Sequence, residues 1–64
     1  MTKKQITAAK RVIRSAYGLS REPSTDEVEA EIANIKRRQT QGLGLDEMYS
    51  YVKSRLEVMA DIKF

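Results

Sequence analysis

The spacing of apolar residues along the 64-residue chain predicts three helices separated by two short connections. Ile6, Ala9, Val12, Ile13 and Ala16 recur at helical spacing on one face of a first segment, about residues 2–17. Thr2 stands three residues before Gln5, the spacing of a capping box, and Gly18 supplies the stop. Val28, Ile32 and Ile35 form a narrow stripe on a second segment, about 25–40, opened by Ser24 with Glu27 three residues on. Gln41-Gly42-Leu43-Gly44 ends it.

The third segment, about 45–62, is different in kind. Leu45, Met48, Tyr49, Val52, Leu56 and Met59 share one face, and Tyr51, Val58 and Ile62 lie beside it. Together they span roughly 200°, about twice the stripe a surface helix needs. Two neighbouring helices do not easily cover so wide an arc. The expected fold is therefore a small all-α, three-helix, antiparallel domain, one domain over residues 1–64, with the third helix as hub. The flank Tyr51, Arg55, Val58, Met59 and Ile62 reads as a protein interface, since Tyr and Arg are enriched at interface hot spots. A core this small, with no cysteine to staple it, favours association with a second copy or another protein.

Charge adds a second theme. The chain holds 12 Lys and Arg against 9 Asp and Glu, for a net charge of +3. Residues 1–21 carry bases and no acid, while residues 22–33 carry acids and no base. Asp26, Glu27, Glu29 and Glu31 open the second helix and Lys36, Arg37 and Arg38 close it, the order the helix dipole favours. Folding the second helix back on the first would bring Lys36, Arg37 and Arg38 to the end that carries Lys3 and Lys4. Lys3, Lys4, Lys10, Arg11, Arg14, Lys36, Arg37 and Arg38 are accordingly the candidate contacts to nucleic-acid phosphates. A helix-turn-helix reader is disfavoured, because Asp46 and Glu47 would open its recognition helix.

Composition narrows the chemistry. With no His, Cys or Trp, a Cys/His zinc site, a serine triad and a cysteine nucleophile are all excluded. The acids at helix starts are read as surface charge complementing the dipole, so no metal and no cofactor is expected. Gly42-Leu43-Gly44 lacks the spacing of a phosphate loop. No apolar run is long enough for a membrane span or a signal peptide, and the expected setting is the cytoplasm.

Leu19-Ser20-Arg21-Glu22-Pro23-Ser24-Thr25-Asp26-Glu27-Val28 resembles a stretch in region 3 of bacterial sigma factors. The likeness covers ten residues and consists mostly of a proline and a capping box, so no function is carried over from it. In general character the chain resembles the short helical products of bacteriophage and mobile-element genes. The expectation is a small non-enzymatic interaction or regulatory protein, forming a homodimer, binding a protein partner through the third helix, or both. It takes no small-molecule substrate and enters no membrane. The alternative is a nucleic-acid-binding protein using the basic patch.

Overall fold

A computed structural model describes the whole chain, residues 1–64. Three helices form it: α1 (Lys3–Tyr17), α2 (Thr25–Thr40) and α3 (Glu47–Ala60), with no strand. No helix is long and apolar enough to cross a membrane.

Local chemistry sets the helix starts. Thr2 Oγ1 accepts from the Gln5 amide at 3.2 Å, and Gln5 Oε1 accepts from the Thr2 amide at 2.9 Å. Ser24 and Glu27 repeat the arrangement at 3.1 and 2.9 Å. Each box satisfies two backbone donors that the first helical turn leaves without partners. Asp46 caps α3 by accepting from the Tyr49 amide at 2.7 Å.

The helix ends explain where the sequence pattern overran. Gly18 adopts φ 63° and lets the Leu19 amide reach the Arg14 carbonyl at 3.0 Å, closing α1. α3 stops at Ala60, two residues short of the apolar pattern, because Asp61 takes the left-handed conformation at φ 53°. The Ile62 amide then bonds the Leu56 carbonyl at 3.3 Å, and the Ile62 side chain folds back to only 5% exposure. At the other end Leu45 is half-buried but precedes the Asp46 cap. Leu45 and Ile62 thus complete the apolar pattern of α3 from outside the helix.

The core consists of Ala9, Val12 and Ile13 from α1, Val28, Ile32 and Ile35 from α2, Val52, Leu56 and Ala60 from α3, and Ile62. No buried side-chain polar atom lacks a partner. α1 is the common neighbour: it packs most extensively against α3, less against α2, and α2 meets α3 least. The expected hub, α3, is therefore replaced by α1. Small buried residues on both helices, Ala9 and Ala60, suit the close approach of α1 and α3. At one end Gln5 Nε2 donates to the Asp61 carbonyl at 3.0 Å, tying the first turn of α1 to the end of α3.

Candidate interaction surface

The wide apolar arc of α3 divides into two stripes. Val52, Leu56 and Ala60 face the core, with Tyr49 half-buried beside them. The other stripe stays uncovered: Met48, Tyr51, Val58 and Met59 are 42, 52, 76 and 55% exposed, and Arg55 among them is exposed too. Four members of the expected interface, Tyr51, Arg55, Val58 and Met59, are thus at the surface. Ile62 is not, because the left-handed turn at Asp61 directs it into the core. Met48, which the pattern placed on one face with Val52 and Leu56, is exposed instead. Two core-facing turns of α1 and α2 cover only the Val52–Leu56–Ala60 side, so an arc of this width cannot all be buried.

A groove of about 600 Å³ runs between α1 and this stripe. Thr7, Ala8, Val12 and Ser15 of α1 line it on one side, and Tyr51 and Met59 of α3 on the other. Lys3, Lys4, Arg11 and Arg55 supply its charge, and no acid lines it. None of these four cations forms an ion pair; the two ion pairs present are Arg21 with Glu27 and Lys53 with Glu57. Small residues at positions 7, 8 and 15 leave the room, and the lining spacing along α1 follows from the helical period.

The predicted phosphate contacts separate into groups. Lys3, Lys4 and Arg11 come together in the groove, where Arg55, expected only as an interface residue, joins them. Lys10 is half-buried and lies outside it. Arg14 is exposed and donates through Nε to the Leu19 carbonyl at 3.4 Å. Lys36, Arg37 and Arg38 do not line the groove. Arg37 donates to Asn34 Oδ1 at 2.8 Å. Arg38 donates to the Gly44 carbonyl at 3.1 Å and lies over the Tyr49 ring, 5.6 Å from its centroid. Arg38 therefore has a structural job, pinning the connection between α2 and α3. That local use was not legible from a run of three bases.

The acids of α2 act locally as well. Arg21 binds both carboxylate oxygens of Glu27 at 3.0 Å. This contact, with the Ser24 amide, holds the Glu27 carboxyl down to about 2, while Glu27 pushes the Arg21 guanidinium up. Tyr17 donates its hydroxyl to Glu31, and burial followed by that bond pushes the phenol well above its usual range. No group of three or more acids is placed to hold a metal ion.

Glu27 yields a pH prediction. Its folded value lies below the ordinary 4.5, so the contribution is present above that value and is lost as pH falls toward about 2. Urea midpoints at pH 6 and pH 3 should therefore fall less for Glu27→Gln than for the parent chain. Equal falls in the two chains would show that Glu27 carries no such linkage.

No family model, no curated protein and no solved structure matches the chain.

Proposed function

We propose that the protein is a non-enzymatic interaction module of the cytoplasm, an antiparallel three-helix domain that binds protein through the outer stripe of α3 and the adjoining groove. One observation carries this reading. Tyr51, Val58 and Met59 stand exposed on a chain with only ten apolar residues in its core. Contiguous exposed apolar side chains rimmed by polar groups mark interaction sites. Arg55 and Tyr51 add the residue types that dominate hot spots.

The cationic lining favours a second reading. Lys3, Lys4, Arg11 and Arg55, with the hydroxyls of Thr7 and Ser15, form an acid-free track of the kind that positions a phosphate backbone. The protein reading is preferred because a phosphate track leaves Val58 and Met48 uncovered.

A photo-crosslinking residue at position 58, expressed in living cells, separates the two. Protein adducts are expected at position 58 and none from the exposed Ala33 on α2, which serves as the control. Nuclease-sensitive adducts would move the phosphate reading to first place. Equal adducts at positions 58 and 33 would remove α3 as the binding face.

A further inference from the structure

The outer stripe of α3 has an internal symmetry. Met48, Tyr51, Arg55 and Val58 are separated by three, four and three residues, the a-d-a-d spacing of a coiled-coil seam. The midpoint of that series is Lys53. Turned end for end about Lys53, the stripe falls on itself: position 48 exchanges with 58, and 51 with 55.

We propose that this stripe is an isologous dimer seam, on which the α3 of a second copy lies antiparallel with the two helices crossing at the level of Lys53, whose own side chain is on the opposite face. The inference rests on the protein-binding reading above and names its partner.

The chemistry of each superposed pair is complementary. Met48 meets the partner's Val58, apolar against apolar. Tyr51 meets the partner's Arg55, an aromatic face against a guanidinium. Two-fold symmetry makes each pairing occur twice, the property that closes a dimer rather than propagating a chain. The next pair outward places Glu47 at the level of the partner's Met59. Met59 shares its groove with Lys3 and Lys4, so an exposed acid arrives where two unpaired cations stand. A parallel pairing does the opposite, setting Arg55 against the partner's Arg55. The register is thus specified by charge, in the way a single polar a-position residue selects register in coiled coils.

The groove supplies the space. Thr7, Ala8 and Ser15 are small, so a second helix can settle beside α3 without meeting bulk from α1. Self-association also answers the marginal core, since a dimer buries apolar surface that the monomer leaves wet.

The absence of native cysteine makes the register directly testable. Met48→Cys and Val58→Cys are prepared as separate chains, mixed and oxidised. The proposal expects the parent protein to weigh twice 7.3 kDa by light scattering. It expects a mixed disulfide between the two variants to dominate over either self-disulfide. Val58→Glu should halve the mass without loss of helicity by circular dichroism. Dominant self-disulfides from Val58→Cys would overturn the antiparallel register while leaving α3 as a binding face. A monomer at every concentration, with no mixed disulfide, would overturn the dimer altogether. In that case adducts to other proteins at position 58 in cells would still uphold the protein-binding reading, and their absence would end it as well.

Discussion

Leu56→Ala is expected to leave the chain largely unfolded at room temperature. Leu56 is fully buried, on the face of α3 turned toward α1 and α2. Removing its isobutyl group loses transfer free energy and opens a cavity, at a cost of about 2–5 kcal/mol. A core in this size class rarely supplies more than about 3–5 kcal/mol in total. The two quantities are equal within their spread, so one substitution suffices to spend the whole margin. Far-ultraviolet circular dichroism and a urea titration read the outcome directly. Met59→Ala, at an exposed position on the same helix, should move the midpoint far less than Leu56→Ala does. A cooperative transition near the parent midpoint for Leu56→Ala would show that Leu56 is not packed as described.

That pair of positions also shows what the sequence could and could not convey. By periodicity alone Leu56 and Met59 shared a face. The separation between them is tertiary: α1 and α2 reach the Leu56 side and stop before Met59. Helix starts were legible because a capping box is complete within four residues, as at Thr2–Gln5 and Ser24–Glu27. The end of α3 was not legible. Its left-handed residue is Asp61, the only non-glycine residue with positive φ, so no glycine announced the stop. The apolar pattern runs on through Ile62, which packs into the core from the turn beyond the helix. The basic residues divided for a related reason. Arg38 found a carbonyl at Gly44 and a ring at Tyr49, neither of which is its neighbour in sequence. Arg55 reached the groove with Lys3, Lys4 and Arg11 only because α1 and α3 pack side by side. Charge composition was visible from the start; which charges share a surface depended on which helix became the common neighbour.

Ile62→Glu and Val58→Glu, four residues apart, should have opposite consequences. Sequence pattern groups the two residues on one flank, yet Ile62 is 5% exposed and Val58 is 76% exposed. A carboxylate at position 62 would have to ionise inside the core beside Leu56, whose carbonyl receives the Ile62 amide. Burying an ion without a partner carries a penalty of several kcal/mol even after relaxation, on the scale of the entire stability. Ile62→Glu is therefore expected to unfold the monomer at neutral pH and to regain structure as acid neutralises the new carboxyl. Val58→Glu places its charge in water, where surface substitutions usually act within about 0.5 kcal/mol, so the monomer keeps its fold. Its effect appears in the mass of the particle, not in its helicity. If Val58→Glu unfolds the chain, Val58 belongs to a core that extends past α3, and the outer stripe is no longer free to bind. If Ile62→Glu stays folded and cooperative, the turn at Asp61 is open in solution and Ile62 rejoins the exposed flank. Circular dichroism at pH 7 and pH 4 on both variants, with light scattering on the folded ones, distinguishes packing from binding along α3 and the turn that follows it.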